Sequence, residues 1–172
     1  MDASSQFKNS LPTSPETLLK KLSELNIKYS RFDHPPLFTV SDAKMHQDQM
    51  AGTHVKNLFL RDKKKRNFLF VAEQDSEVNL KNLHEKIGSD RLSFGSSDRL
   101  WQYLGVRPGA VSPLALINDK HQQVTLIFEE MLNSENDIHF HPLVNDITLG
   151  LKLNELYQFF KFTRHTPEFI KL

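Results

Sequence analysis

The spacing of apolar residues along the chain predicts a series of helices separated by short extended segments. In the first helix, Leu18 and Leu22 fall on one face after Ser14, and serine is a preferred N-terminal cap. The second predicted helix is capped by Ser41 and ended by Gly52, and the fourth is capped by Ser96 or Ser97 and ended by Gly105. Taken together, helices are predicted over residues 15–25, 41–50, 79–87, 97–104 and 154–162.

Between the predicted helices lie short runs of β-branched, aromatic and aliphatic residues that predict strands. The clearest are residues 58–60 and 67–72, which flank a basic turn over residues 63–66 and predict a β-hairpin. Further strands are predicted over residues 27–33, 92–94, 114–117, 124–128 and 138–141. Because strands and helices are interleaved, the expected fold class is α/β or α+β, with a mixed sheet flanked by helices.

The length and composition favour one globular domain. A chain of 172 residues can bury a core without disulfide bonds, and we assign residues 14–172 to a single domain after a flexible lead-in over residues 1–13. The formal net charge is only +1, so a polyanion would be bound by local basic patches rather than by the field of the whole protein.

The chain contains no cysteine and no apolar run long enough to span a membrane. The absence of cysteine removes disulfides, thiolate metal sites and a cysteine nucleophile, and it fits a reducing compartment. The lack of a long apolar run, together with the polar N-terminus, predicts a cytoplasmic protein that does not associate with membranes.

Several common reaction classes lack their sequence motifs in this chain. It has no G-x-S-x-G elbow, no P-loop, no H-E-x-x-H helix and no glycine-rich dinucleotide turn, so we expect no cofactor. His139 and His141 would point to the same side of one strand, but two imidazoles without a third convergent ligand make a poor metal site. We therefore expect no metal.

Three polar features then remain as candidates for a functional site. They are Lys56 with Asn57, the loop over residues 109–113, and His141. Each also has a purely structural interpretation. Lys56 could be an exposed lysine at a strand end, in an ion pair with Asp62 or Glu73 that contributes at most about 1 kcal/mol. In the structural interpretation, the loop over residues 109–113 does no more than shape a turn, and the basic turn over residues 63–66 does no more than keep the protein soluble.

A set of motifs along the chain matches one known family. They are His34-Pro35-Pro36 within residues 34–40, Lys56-Asn57 within residues 56–64, residues 91–94, residues 104–113, and Phe140-His141-Pro142 within residues 140–145. In this order the motifs resemble the freestanding prolyl-tRNA editing proteins, and the Ala-tRNA(Pro) deacylases in particular. These proteins are related to the editing domain inserted in bacterial prolyl-tRNA synthetases, and the similarity runs from about residue 18 to the C-terminus.

The resemblance implies a partly barrel-like mixed sheet, like that of the prolyl-tRNA synthetase editing domain, with a pocket for the 3′-terminal aminoacyl-adenosine of a mischarged tRNA. Lys56 matches the essential lysine of the family, His141 matches its pocket histidine, and residues 109–113 match its G-x-x-x-P loop. The predicted catalytic residues are Lys56, Gly109 and His141, and the predicted substrate-binding residues are Asn57, Ala110, Val111, Ser112 and Pro113.

The chain also departs from the family pattern at three places, namely Gly95, residues 147–150, and Arg164-His165. These departures concern the lining of the pocket, and so they bear on the choice of amino acid more than on the reaction.

The expected activity is trans-editing, the hydrolysis of the ester of mischarged Ala-tRNA(Pro) in a pocket too small for proline. Since no residue pair resembles a nucleophile with its base, we expect attack by water with help from the neighbouring ribose hydroxyl. In this hypothesis Lys56 binds the terminal phosphate or the carbonyl region, and backbone groups of residues 109–113 hold the ribose or the amino acid. His141 either shapes the pocket wall or acts as a general base.

Basic side chains are expected to hold the tRNA through its phosphates. The candidates are Lys20, Lys21, Lys63, Lys64, Lys65 and Arg66. The expected partner is the acceptor end of mischarged tRNA(Pro), with prolyl-tRNA synthetase or an elongation factor as a second partner, and we expect a monomer. Three alternatives stay open: a deacylase for serine or cysteine on tRNA, a non-catalytic aminoacyl-tRNA-binding module, and a hydrolase of small esters unrelated to tRNA.

Overall fold

The computed structural model describes residues 9–37, 40–134 and 136–172. Its helices are α1 (Pro15–Glu24), α2 (Val40–Gln47), α3 (Leu80–Lys86), α4 (Ser97–Leu104) and α5 (Leu153–Thr163). Its strands are β1 (Ser30–Asp33), β2 (Thr53–Asp62), β3 (Asn67–Glu73), β4 (Leu92–Phe94), β5 (Val124–Glu129), β6 (Ile138–Phe140), β7 (Ile147–Leu151) and β8 (Glu168–Ile170). Short 3-10 helices cover Pro113–Asn118 and Glu130–Leu132.

Within the described residues, eight strands form one mixed sheet in the order β1-β7-β6-β2-β3-β5-β8, and β4 pairs with β2 beside this path. Strand β2 is antiparallel to β3 along most of one edge. Along its other edge β2 pairs first with β6, in parallel at Thr53 and His54, and later with β4, from Leu60 onward. The stretch with Lys56 and Asn57 lies between these two partners. The mixed sheet flanked by helices confirms the predicted fold class.

The central strands are apolar on both faces because helices or strands cover both sides of the sheet. On one side Phe59, Leu69 and Phe128 join a large core with α1, α4 and α5. On the other side Leu60 and Phe70 join a smaller core to which α3 contributes. Burial on both faces explains why β3 is a continuous apolar run rather than an alternating one.

Several predicted helix ends are confirmed. The side chain of Ser14 accepts a hydrogen bond from the backbone N–H of Thr17 at the start of α1, and Ser96 does the same for Arg99 in α4. Helix α4 ends at Gly105, whose φ of +59° is left-handed and therefore suits glycine. These ends depend on local capping chemistry, which the sequence carries.

Two local predictions are wrong. Residues 114–117 form part of a 3-10 helix rather than a strand, because Ser112 caps the segment by accepting from the N–H of Leu114 and Pro113 begins it. Ser41 does not cap α2, since that helix already includes Val40 and it ends at Gln47, well before Gly52. Glycine is required at position 52 for another reason: a Cβ atom there would lie 2.6 Å from the carbonyl oxygen of Asp137.

The predicted lead-in is divided by the structure. Residues 1–8 lie outside the described residues, whereas Leu11 is buried in the large core. The hydroxyl of Thr13 donates to Asn118 Oδ1 at 2.6 Å, so residues 11–13 pack against the fold. None of the helices in the described ranges combines the length and the apolar character needed to cross a membrane.

Candidate active site

A cavity of about 80 Å³ lies where the start of β2 meets β6 and α2. The residues that line it are Leu37, Ala43, Gln47, Met50, His54, Val55, Asn57, Gln74, His139, Phe140, His141 and Thr148. Two of the predicted site residues, Asn57 and His141, are therefore in its wall. Lys56 and the loop over residues 109–113 are next to the cavity rather than in its lining.

The position of Lys56 follows from the alternation of side chains along β2. Val55 and Asn57 share one face of β2, and the side chain of Lys56 leaves from the other face, which it shares with His54 of the cavity wall. Lys56 is half-buried, and its ammonium group donates to the backbone carbonyl of Ser76. It is therefore not the exposed lysine of a strand end, and it reaches the segment that supplies Gln74 to the cavity wall.

The segment contacted by Lys56 is itself held in place by a buried carboxylate. Glu129 is 7% exposed and accepts from the hydroxyl of Ser76 at 2.8 Å and from the backbone N–H of Glu73 at 2.8 Å. Gln74 bonds to Gln47 of α2 through their side-chain amides, at 2.5 Å. Lys56 thus stands at the rim of the cavity, on a segment fixed from two sides.

His141 is held as a neutral ring. Its Nδ1 lies 2.8 Å from the carbonyl oxygen of Ile147, and since a carbonyl can only accept, Nδ1 carries the proton. Burial lowers the pKa of His141 below the ordinary histidine value. The other ring nitrogen, Nε2, then carries a lone pair and has no hydrogen-bond partner among the described residues.

A short relay continues from His141 to the end of β1. The hydroxyl of Thr148 lies 3.4 Å from His141 Nδ1 and 2.8 Å from His34 Nε2. His34 Nδ1 lies 2.9 Å from the carbonyl of Pro35, so Nδ1 is the protonated nitrogen and Nε2 accepts from Thr148. The two rings stand 5.9 Å apart. Backbone carbonyls thus fix both rings in a defined tautomer.

His139 presents the opposite ring nitrogen to the backbone. Its Nε2 lies 3.0 Å from the carbonyl of Ala51 and is the donor, which leaves a lone pair on Nδ1. Burial lowers the pKa of His139, as it does that of His54, whose ring stacks on His139 at 4.6 Å. Among the described residues, His139 Nδ1 and Asn57 Oδ1 are buried without a hydrogen-bond partner. Two acceptor atoms in the wall therefore lack a donor.

The loop over residues 109–113 reaches the cavity through Asn145. Gly109 has a φ of +91°, and a Cβ atom built there would lie 4.0 Å from Asn145 Nδ2. Asn145 Nδ2 in turn donates to the carbonyl of Leu37, which lines the cavity, at 3.0 Å. Gly109 is exposed and Val111 is half-buried. The side chains buried in this loop are those of Ala110, Ser112 and Pro113.

None of the predicted tRNA-binding residues lines the cavity. The basic turn begins six residues after Asn57, roughly 20 Å along the strand. In this turn Lys63 and Lys65 are exposed, whereas Lys64 pairs with Asp90 at 3.3 Å and Arg66 with Asp62 at 2.7 Å. On α1, Lys20 is exposed, and Lys21 pairs with Glu24.

Sequence reasoning misses several parts of the wall. It considers His139 only as half of a metal pair, it assigns no role to Thr148 or Gln74, and it does not find the contact of Thr148 with His34, which lies outside the wall. These residues come from β6, the end of β1, β7 and the segment after β3, and only the folded sheet brings them together. Gly95, one of the family departures, packs against the ring of Phe59, which any Cβ atom there would overlap.

Comparison with known proteins finds one family. The model of the aminoacyl-tRNA editing domain matches residues 34–159, a range that includes every residue lining the cavity. The chain is 37% identical over 158 residues to the prolyl-tRNA editing protein ProX of Acetoanaerobium sticklandii, covering 91% of this chain and 96% of that protein. It is 36% identical over 159 residues to prolyl-tRNA synthetase associated domain-containing protein 1 of Danio rerio, covering 89% and 86%.

The fold is also similar to solved structures. One, described as a candidate trans-editing enzyme for prolyl-tRNA synthetase, superposes with a TM-score of 0.68 at 14% sequence identity. The similarity covers 92% of this chain and 96% of that one. At this identity the match concerns the fold.

Proposed function

The chain belongs to the aminoacyl-tRNA editing domain family, and from this premise we propose that it is a trans-editing deacylase that hydrolyses alanine mischarged on tRNA(Pro). The observation that carries the proposal is the cavity beside Lys56, with two buried acceptors in its wall. The relatives named as prolyl-tRNA editing and prolyl-tRNA synthetase associated proteins support tRNA(Pro) as the substrate and the synthetase as a partner.

The lining of the cavity supports a small apolar amino acid. The cavity measures about 80 Å³, and Leu37, Met50 and Phe140 in its wall are apolar. One apolar group more or less changes discrimination by only ~1–3 kcal/mol, so a synthetase that accepts proline excludes alanine poorly. A second site that admits alanine and is too small for proline corrects the error.

The unpartnered acceptors support recognition of the amino group. An α-ammonium group has three N–H donors, and Asn57 Oδ1 and His139 Nδ1 are acceptors that lack donors. His139 stays neutral because burial lowers its pKa, so it does not repel a cation. This arrangement selects an aminoacyl ester over an ester without an amine, which disfavours the general ester hydrolase.

The groups around the cavity suit attack by water rather than covalent catalysis. His141 Nε2 carries a lone pair that can orient a water molecule or accept its proton. Lys56 can exchange the Ser76 carbonyl for the substrate carbonyl or the terminal phosphate as a compact cation. The neighbouring ribose hydroxyl of the substrate completes the set. The backbone of residues 109–113, which reaches the cavity wall through Asn145, holds the ribose or the amino acid.

The test is single-turnover deacylation of tRNA(Pro) charged with alanine, proline, serine or cysteine. We expect the wild type to release alanine and spare proline. Lys56→Ala should slow the release of alanine by roughly 100-fold or more, as expected for loss of a group that stabilises developing charge. The matched control is Lys81→Ala, an exposed lysine on α3, which should keep the full rate.

Each other outcome has a defined meaning. Release of serine or cysteine in place of alanine would preserve the reaction and change its specificity. Release of none of them, with tRNA still bound, would leave a non-catalytic tRNA-binding module. Full activity of Lys56→Ala would reduce this lysine to a structural contact with Ser76.

A further inference from the structure

Trp101, the single tryptophan of the chain, stands on α4 with 37% of its surface exposed. The guanidinium carbon of Arg107 lies 4.9 Å from the centre of the tryptophan ring. Trp101 forms a wall of two clefts: one of about 300 Å³ on the side of Arg107 and Pro108, and one of about 460 Å³ on the side of Gln102 and Lys120. A large aromatic ring is therefore accessible between two open spaces.

This ring is connected to the candidate active site through a short series of neighbouring residues. Arg107 is two residues before Gly109, a length of chain of at most about 7 Å. Gly109 in turn adjoins Asn145, which bonds to Leu37 of the cavity wall. A substrate whose aminoacyl end occupies the cavity and passes Gly109 would therefore meet Trp101 and Arg107 with the part that precedes its terminal adenosine.

We propose that Trp101 and Arg107 form a stacking platform for an unpaired base of the tRNA 3′ end, one of those that precede the terminal adenosine. The inference rests on the proposed function. Unpaired bases bind to aromatic rings and to arginine planes by stacking, which does not depend strongly on the base. The site so defined is separate from the cavity and binds the nucleic acid rather than the amino acid.

The chemistry of the cleft favours a base over a phosphate. Asp98 contributes to the wall on the Arg107 side, and its carboxylate would repel a phosphate placed there. Arg107 is already stacked on the ring and offers a flat face rather than a free cationic end. The phosphates of the RNA 3′ end would bind to lysines outside this cleft, such as Lys120, which lines the neighbouring cleft.

Because Trp101 is the only tryptophan, its fluorescence reports on the platform directly. The probe is an RNA hairpin that copies the tRNA(Pro) acceptor stem and ends in the single-stranded 3′ tail, and the control probe is the same hairpin with a blunt end. We expect the tailed hairpin to quench the fluorescence and to protect it from acrylamide. The blunt hairpin should leave it unchanged.

The variants distinguish the effect of an aromatic ring at position 101 from the effect of side-chain volume. Since these variants lack tryptophan, their affinity is measured by filter binding. Trp101→Phe keeps an aromatic face and should keep most of the affinity for the tailed hairpin, whereas Trp101→Leu should weaken it about tenfold. In deacylation, Trp101→Leu should raise KM and leave the rate at saturating substrate unchanged, because stacking is equal in the ground and transition states. Tyr157→Ala, which removes an exposed aromatic side chain on α5, is the control and should behave as wild type.

The inference and the proposed function fail separately. Equal quenching by the two hairpins, or equal affinity of Trp101→Leu and wild type for the tailed one, would overturn the platform even if deacylation is intact. Tail-dependent quenching by the hairpin, together with weaker binding of the tailed hairpin to Trp101→Leu, would support the platform even if no charged tRNA is hydrolysed. If a protein partner quenches the fluorescence of Trp101 and the RNA tail has no effect on it, the platform is also overturned.

Discussion

Buried or half-buried histidines occur in two regions of this protein, and the regions differ in whether both ring nitrogens have hydrogen-bond partners. His165, after α5, has Nε2 2.9 Å from Asp119 Oδ2 and Nδ1 3.0 Å from the hydroxyl of Thr163. His139 and His141, in the cavity wall, each have one nitrogen on a backbone carbonyl and, among the described residues, no partner for the other. The first region is satisfied internally, and the second is not.

The difference separates structural groups from binding groups. A buried polar network with every member paired stabilises a fold, and the carboxylate of Asp119 also accepts from the backbone N–H groups of Gln123 and Val124. A buried acceptor without a donor costs free energy until a ligand supplies one. We therefore expect the Asp119 region to govern stability and the cavity to govern activity.

The largest effect is expected from Asp119→Ala. This change leaves three N–H donors without an acceptor, two of them buried, at a cost of about 3 kcal/mol in the free energy of unfolding. For a chain of this length the melting temperature should fall by roughly 6–12 °C. Thermal unfolding followed by circular dichroism measures it. Deacylation by the folded variant, well below its transition, should equal that of wild type, and a loss there would contradict the division into two regions.

The next effect concerns the rate of deacylation. His141→Asn can keep a donor near the position of Nδ1, toward Ile147, and removes the lone pair of Nε2. We expect deacylation to slow by roughly 10- to 100-fold, or about 1.4–2.7 kcal/mol in the barrier, with the melting temperature nearly unchanged. His141→Gln, which places an amide near Nε2 instead, is the matched variant. If His141→Asn keeps the full rate, the ring only shapes the wall.

The sequence predicts those parts of this comparison that depend on local chemistry. Ser14, Ser96 and Gly105 define helix ends through contacts within a few residues, and these predictions are confirmed. Residues 114–117 are wrongly predicted as a strand because a short apolar run suits a strand or a helix equally well. The cap at Ser112 decides between them, and the strand prediction does not include it.

The site could be predicted only where one motif carries it. Asn57 and His141 are in the cavity wall and Lys56 lies at its rim, while their roles stay predictions. The acceptor on His139 and the link from Thr148 to His34 depend on the pairing of β6 with β2 and of β7 with β1, between strands far apart in the chain. The sequence considers His139 only as a possible metal ligand. In the folded sheet its Nδ1 is instead a buried acceptor without a donor among the described residues.

A smaller effect, on the order of 1 kcal/mol, is expected in the dependence of stability on pH. Burial lowers the pKa values of His139 and His141, so the unfolded chain binds more protons below about pH 6.5, and stability should fall as the pH drops through that region. For Asp119, burial alone raises the pKa, but the hydrogen bonds from His165, Gln123 and Val124 outweigh it and leave the pKa lowered. Its contribution is present above about pH 4 and is lost below.

Denaturant titrations at a series of pH values separate the contribution of the histidines from that of Asp119. His141→Asn should flatten the loss of stability between about pH 6.5 and 5, and Asp119→Ala should flatten the loss below about pH 4. A single transition shared by both variants would show that the two regions titrate as one.

The smallest effect is expected within the basic turn over residues 63–66. Its basic side chains also differ in whether they are paired with groups of the protein itself. Arg66 is satisfied by Asp62, through its backbone N–H at 2.9 Å and its Nε at 2.8 Å, whereas Lys63 and Lys65 are exposed and have no ion pair among the described residues. Replacing Lys63 and Lys65 by glutamine should weaken tRNA binding a few-fold. The dependence of log affinity on log salt should fall by roughly 0.7–0.9 for each phosphate that these lysines neutralise in the wild type.

Arg66→Gln should do the reverse. It breaks the ion pair with Asp62, so it should lower the melting temperature slightly and leave the salt dependence as in wild type. Filter binding of tRNA(Pro) at several salt concentrations, with unfolding measured in parallel, makes the comparison. If Arg66→Gln reduces the salt dependence as much as the lysine variants do, internal pairing does not distinguish structural from binding residues here, and the turn then binds tRNA as one cationic patch.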